Sequence, residues 1–276
     1  MRFSVSHETR YQYSVPVGFA PHVIRLSPRL DAGTILAQSI EVDPLPAWRD
    51  DLLDHYGNPF TRVSFQGHFD HLRIESRFEV VTPIMPPLPL LSLAPLPWPI
   101  DYEGEFASYL MADGIEGTVR HFAAELAGAC QWDAVSFLYR LTETLFQRTD
   151  RHIRVEGLAQ SPAYTLASAR GACRDLAVLF MAACRSLGIP ARFVSGYQAE
   201  AESVDGQRHL HAWAEVFIPG WGWIGFDPTH GRPTGDGYVA LCAAPDQAAT
   251  MPVEGGFYAN GVTATLDYRV RIATGT

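Results

Sequence analysis

Cysteine is scarce: 276 residues carry four, Cys130, Cys173, Cys184 and Cys242, and none form a CxxC pair. A chain of this size needs no disulfide staples, so the four are read as free thiols. No basic run interleaved with aromatics is present, and the formal net charge is −9. Nucleic acid and anionic membranes are therefore not expected partners. The start, Met1 to Arg10, carries His7, Glu8 and Arg10 around no apolar core. It does not read as a signal peptide, and a reducing cytoplasm is the simplest expected compartment. The one long apolar stretch, Thr82 to Ile100, holds seven prolines. They forbid a continuous membrane helix and point to a stiff linker over 83–100. There is no G-x-S-x-G, so a serine hydrolase has no support. No acidic loop reads as a calcium site, and no repeat or low-complexity tract appears. With 47% hydrophobic and 18% charged residues, the composition is that of a folded globular protein.

What is present divides in two. Over Arg2–Tyr13 the chain alternates strictly: Phe3, Val5, His7, Thr9, Tyr11 and Tyr13 point one way, the polar residues between them the other. That is a half-buried strand. Further strands are expected at 22–26, 35–42, 60–65 and 72–81, separated by turn signals such as Gly57-Asn58-Pro59 and Gln66-Gly67. No useful helical period appears before residue 100, so 1–82 is expected to be an antiparallel β-sandwich. The second half opens with helical patterns at 116–127 and 133–147, the latter capped by Asp133. Strands are expected after residue 190, at 191–197, 209–218, 221–227, 238–243 and 262–272. Helices followed by strands indicate an α+β domain over 101–276.

Between them lies Gly171-Ala172-Cys173-Arg174-Asp175. Behind it Leu176, Leu179, Phe180, Ala183 and Leu187 recur at helical spacing, and Gly188 and Pro190 end the pattern. Cys173 thus falls at a helix N-terminus, where free N–H groups and the helix dipole favour thiolate. Gly171 removes bulk before the sulfur, which would let a substrate backbone approach. A small buried cysteine is the alternative reading of this stretch taken alone. Downstream, His209, His211, Trp213 and Glu215 share one face of a strand. Two histidines at i and i+2 can share a metal, but no third and fourth ligand stands at useful spacing, so no metal is expected. Gly220 to Gly225 matches G-x-G-x-x-G by letter. Asp227-Pro228 follows where the dinucleotide fold needs a helix, so the match is accidental.

Cys173, His211 and Asp227 are the types that acyl transfer needs: a thiolate nucleophile, an imidazole to hold and return the proton, and a carboxylate to orient it. Their order alone is not specific; their surroundings are. Gly171-Ala172-Cys173-Arg174-Asp175, Leu187-Gly188-Ile189-Pro190, Ser195-Gly196-Tyr197, His211-Ala212-Trp213, Gly222-Trp223 and Phe226-Asp227-Pro228-Thr229 together resemble the bacterial transglutaminase-like cysteine enzymes. The start, through Arg25-Leu26-Ser27-Pro28-Arg29 and Gly57-Asn58, resembles their N-terminal domain. The resemblance implies a papain-like catalytic domain of helices packed on an antiparallel sheet, with Cys173 as nucleophile, His211 as acid/base and Asp227 as orienter. Val178 stands where many relatives have histidine, and His230 where many have asparagine. Gly171, Arg174, Asp175, His209, Trp213, Trp223 and His230 are the candidate residues of the cleft or its support. The function this implies is a cysteine-dependent amide hydrolase acting on peptides or proteins through a thioester, with no cofactor. A transamidase and a non-catalytic binding module on the same fold are the alternatives. Side-chain parity further predicts a hairpin in which His211 faces Asp227, Trp213 faces Gly225, Glu215 faces Trp223, and Ile218-Pro219-Gly220 forms the loop.

Overall fold

The computed structural model describes residues 1–84, 93–101, 103–111, 114–154, 157–200 and 208–275. The first strand, β1 (Arg2–Phe19), buries Phe3, Val5, His7, Thr9 and Tyr13 and exposes or half-exposes the residues between, as the alternation requires. It is followed by β2 (His22–Ile24), β3 (Thr34–Asp43), β4 (Trp48–Leu53), β5 (Pro59–Ser64) and β6 (Phe69–Val81). All pairings among them are antiparallel. β1, β6 and β3 belong to one sheet, and β2, β5 and β4 to a second. Phe3, Val17, Ile24, Val63, Ile74 and Phe78 meet in the core they share. β4 has no signal in the sequence pattern, because its apolar residues Trp48, Leu52 and Leu53 are exposed.

Helices α1 (Gly117–Ala129), α2 (Ala134–Arg148), α3 (Pro162–Ser168) and α4 (Cys173–Ser186) come next. Asp133 caps α2 by accepting from the Ser136 N–H at 2.8 Å. Leu176, Leu179, Phe180 and Ala183 of α4 pack with Phe122 of α1 and Leu141 of α2. Beyond the Leu187 cap of α4, Gly188 has φ 77°, and the Ile189 N–H reaches back to the Cys184 carbonyl at 3.1 Å. A glycine in the left-handed region is the usual way to stop a helix there. The stretch from 93 to 100 lies against these helices: the Leu96 N–H bonds the Trp132 carbonyl and the Trp98 N–H bonds the Leu187 carbonyl, both at 2.9 Å. The remainder of the expected proline-rich linker, 85–92, lies outside the described residues.

The second half's sheet is built from β7 (Ala191–Gln198), β8 (His211–Ile218), β9 (Gly222–Asp227) and β10 (Tyr238–Ala244), in the order β9-β8-β7-β10, with Arg232–Pro233 beside β9. The face bearing Ala212, Ala214, Val216 and Ile218 packs on the helices. The fold is therefore α+β, a sandwich followed by helices on an antiparallel sheet.

Two expectations need correcting. The second unit does not run to residue 276. The last strand, β11 (Ala264–Gly275), pairs along the length of β1 from Arg2↔Gly275 to Tyr13↔Ala264, and Val253–Glu254 pairs with β2. Strand pairing is non-local, so a periodicity places a strand without saying which sheet it joins. The hairpin register is also different. Phe217 faces Trp223 and Glu215 faces Gly225. The turn is Ile218-Pro219-Gly220-Trp221, closed by the Trp221 N–H on the Ile218 carbonyl at 2.9 Å. Proline at the second position and a left-handed glycine, Gly220 at φ 81°, at the third are the signature of a type II turn. Gly222, at φ 85°, adds a second left-handed residue and moves the pairing on by two. A shift of two preserves parity, so His211 and Asp227 still share a face.

The units are joined by buried polar contacts. Asn58, fully buried, donates to the Ala243 carbonyl at 2.9 Å and accepts from the Ala243 N–H at 2.8 Å. It thereby covers part of the open edge of β10. Tyr197 and Ala199 at the end of β7, with Val239 and Leu241 of β10, complete the sandwich core.

Candidate active site

The site forms where α4 begins and β8 and β9 lie side by side. Cys173 is the first residue of α4, so its backbone N–H is among those left without an intrahelical partner. His211 opens β8, paired with Gly196 of β7. Asp227 closes β9 and is fully buried. The Nε2 of His211 lies 2.7 Å from Asp227 Oδ2, leaving Nδ1 for Cys173. The thiol is hydrogen-bonded by His211 and by the backbone N–H of Ala212.

Asp227 is held from several sides. Oδ2 also receives His230 Nδ1 at 2.7 Å and the Tyr238 hydroxyl at 2.9 Å, while Oδ1 accepts the Thr229 N–H at 2.9 Å. Burial works to raise the carboxyl's pKa, but the His211 charge and the bonds from His211 and His230 hold it far below the usual carboxylate range. For His211 burial opposes the charged ring, yet the Asp227 carboxylate and its hydrogen bond, with Cys173, push it up to about 10. For Cys173 burial acts to raise the thiol. The bond and charge of His211 and the Ala212 N–H outweigh it, and the net shift is downward, with Asp227 opposing. Burial raises the other three thiols, Cys242 to about 12. These shifts favour a thiolate–imidazolium pair beside an ionised carboxylate.

The supporting residues are placed as follows. Asp175 is fully buried; its Oδ2 accepts the Ala172 N–H at 2.7 Å and its Oδ1 the Gln160 N–H at 2.8 Å, beside the Arg154 guanidinium. It caps its own helix and ties the segment before α3 to the turn that carries Cys173. Arg174 lines the cleft, and burial first, then the charge of Arg154, lowers its pKa. His209 lies on the cleft wall with Nδ1 2.8 Å from the Tyr268 hydroxyl of β11. His230 lines the cleft beside Asp227. Trp213 is buried under His211, with its ring 5.4 Å from Tyr238. It lies across Gly196, where a Cβ would meet Trp213 Cη2 at 2.6 Å.

Two residues do not sit where the sequence suggests. Gly171 is buried against Thr165, Asp175 and Leu176, so its smallness serves the packing of α3 on α4, not the approach of a substrate. Trp223 lies beyond the cleft, under Arg192 at 4.3 Å and beside Tyr109 at 4.8 Å. The two-residue register shift carries it away from the His211 end of the hairpin. Tyr238 and Thr229 escape sequence reasoning: Tyr238 is one aromatic in an apolar strand, and Thr229 acts through its backbone.

The cleft in front of Cys173 has a volume of about 680 Å³. One wall is Ala172, Cys173, Arg174 and the start of β8; the opposite wall is Thr9 and Tyr11 of β1 with Leu266 and Tyr268 of β11. It therefore lies between the two units, a common location for ligand sites.

Residues 120–228 match the model of the transglutaminase-like superfamily, and residues 3–81 that of the bacterial transglutaminase-like N-terminal region. The similarity of the chain is thus to the transglutaminase-like superfamily in its second half and to the N-terminal region that accompanies the bacterial members in its first. An uncharacterised protein of Mycobacterium tuberculosis is 27% identical over 98% of this chain and 92% of its own length. A second relative, the uncharacterised YebA of Bacillus subtilis, is 37% identical over 71 residues, 22% of this chain and 10% of that protein. Among solved structures, a candidate cysteine protease of Cytophaga hutchinsonii superposes with a TM-score of 0.75 at 21% identity, covering 99% of this chain and 90% of that one. That likeness shows a shared fold. No helix among the described residues is long and apolar enough to cross a membrane.

Proposed function

We propose that this protein, similar over residues 120–228 to the transglutaminase-like superfamily, is a cysteine-dependent amide hydrolase acting on peptides or proteins. The observation that carries the reading is a lowered Cys173 thiol at a helix N-terminus, bonded by His211, whose other ring nitrogen is fixed 2.7 Å from a buried carboxylate. Cys173 Sγ attacks the carbonyl carbon, and the developing oxyanion is met by the Cys173 backbone N–H. The C–N bond breaks as His211 gives its proton to the leaving amine, which leaves a thioester on Cys173. His211 then takes a proton from water, which attacks the thioester and releases the acid and the thiolate. Asp227 stays ionised throughout and keeps the ring in register. Every step is carried by side chains and backbone, and a reducing compartment such as the cytoplasm keeps Cys173 in the form this chemistry uses. An amine in place of water would give transamidation.

The reading is tested by incubating the protein with a defined peptide mixture, with and without methylamine, and weighing the products. Cleaved or deamidated peptides that vanish in Cys173→Ala support hydrolysis. Methylamides that replace them when the amine is present identify a transferase, and no product in either arm refutes both.

A further inference from the structure

Gln198, at the end of β7, is only 3% exposed and lines the cleft. Among the described residues, neither its Oε1 nor its Nε2 has a hydrogen-bond partner. It lies two residues beyond Gly196, the partner of His211, and directly opposite Tyr238, whose hydroxyl holds Asp227. Gln198 therefore stands on the His211 face of the sheet. Thr229 at Oγ1 and His152 at Nδ1 also line the cleft with a buried polar atom in the same condition among the described residues. Buried polar groups are nearly always hydrogen-bonded, and an unmet one is costly. A side-chain amide with both ends unmet is completed by a group that donates and accepts at once. One water meets one end or bridges to another group; another amide meets both ends in a matched pair.

We propose that Gln198 is a specificity-determining residue that binds amide groups of the substrate, either the backbone N–H and C=O of one residue, as Asn58 does with Ala243, or a side-chain carboxamide, by donating through Nε2 and accepting at Oε1. This rests on the reading of the protein as an enzyme of amide bonds and adds where a second substrate amide, away from the reacting carbonyl, is recognised. Leucine at this position keeps the bulk and removes both polar atoms. Removing an unmet buried group leaves the free protein as stable or more so, because no contact is lost. Recognition of an amide-bearing ligand is lost at the same time.

The test uses two reagents on the full chain. Methyl methanethiosulfonate carries no amide and reports only on the Cys173 thiolate. A mixture of capped tripeptidyl chloromethyl ketones reports on thiolate and amide recognition together. In Gln198→Leu the reaction of Cys173 with the peptidyl reagents should fall at least tenfold, the small reagent should react as in the wild type, and the melting temperature should hold or rise. Gln198→Glu, which keeps an acceptor and loses the donor, should fall between. A peptidyl rate within twofold of wild type in Gln198→Leu overturns the assignment alone. A fall of both rates with a lower melting temperature overturns it too, because Gln198 is then structural and satisfied by an ordered water only. If methyl methanethiosulfonate reacts with wild-type Cys173 no faster than with Cys130, the thiolate reading fails and this proposal falls with it.

Discussion

At the scale of single residues the site is an argument about which charges survive burial. His211 is held charged up to about 10 by Asp227, and Cys173 is lowered by His211. The productive ion pair therefore forms as pH rises through the depressed Cys173 value and is lost as pH rises through about 10. Cys173 alkylation by iodoacetamide should climb below the roughly 8.5 midpoint of an ordinary thiol. Cys130, Cys184 and Cys242, all raised, should lag far behind. Asp227→Asn removes the charge while the burial remains, so His211 should titrate near or below its ordinary value, about 6.5. The alkaline limb of the pH–rate profile should move down with it, and turnover should fall by about 10³–10⁴. An unmoved limb would show that Asp227 does not act on His211. Tyr238→Phe removes one of the donors to a buried carboxylate, so a loss of about 1.5–3 kcal/mol in unfolding free energy is expected, measured by urea denaturation. The Cys, His and Asp of this site were legible in the sequence because each lies in a distinctive run. Tyr238, the Thr229 N–H and the capping bonds of Asp175 were not, since they depend on which strands and loops meet.

At the scale of elements, parity was legible and register was not. The alternation of Arg2–Tyr13 and of His211–Ile218 gave the correct buried faces, because a strand's period is fixed at two. The pairing of β8 with β9 depends on how many left-handed residues the turn spends, and Gly220 and Gly222 both take that role. Two glycine substitutions separate backbone conformation from space. Gly222→Ala meets nothing within 4 Å among the described residues, so its cost is that of the left-handed backbone alone, about 1–2 kcal/mol. Gly196→Ala meets Trp213 and the Val239 carbonyl in the middle of a fully buried strand. It should destabilise by more than 4 kcal/mol, the range of severe core overpacking, and displace Trp213 from beneath His211. Thermal denaturation of the two variants, with Trp fluorescence as the second readout, should rank them in that order; equal effects would contradict the close approach of Trp213 to β7. Asn58→Ala leaves a buried N–H and C=O of Ala243 unpaired, about 1–3 kcal/mol each. It should lower stability with little change in the secondary structure seen by circular dichroism.

At the scale of the whole molecule, the cleft belongs to neither unit alone. β1 and β11 form one wall, and β11 comes from the far end of the chain, which is why a division at residue 82 was all the sequence could offer. Deleting 1–82 would strip β11 of its partner and expose Tyr197, Ala199, Val239 and Leu241, which pack in the sandwich core; such a truncation should aggregate and not report on the chemistry. The chain's composition carries a further consequence. Its 21 basic residues are all arginine, and lysine is absent. An arginine guanidinium stays protonated near neutral pH and is not an acyl acceptor, whereas a lysine amine is the usual one. If Cys173 passes acyl groups to amines, no side chain of the enzyme itself can receive them. A glutamine-rich protein incubated with the enzyme should thus be cross-linked to added lysine-bearing protein but never to the enzyme through a lysine side chain. Mass spectrometry of the recovered enzyme should show acylation at Cys173 alone, removable by hydroxylamine as a thioester is. An isopeptide bond on any side chain of the enzyme would break this argument. If adding the lysine-bearing protein leaves the product as free acid, water is the acceptor and the cleft is that of a hydrolase.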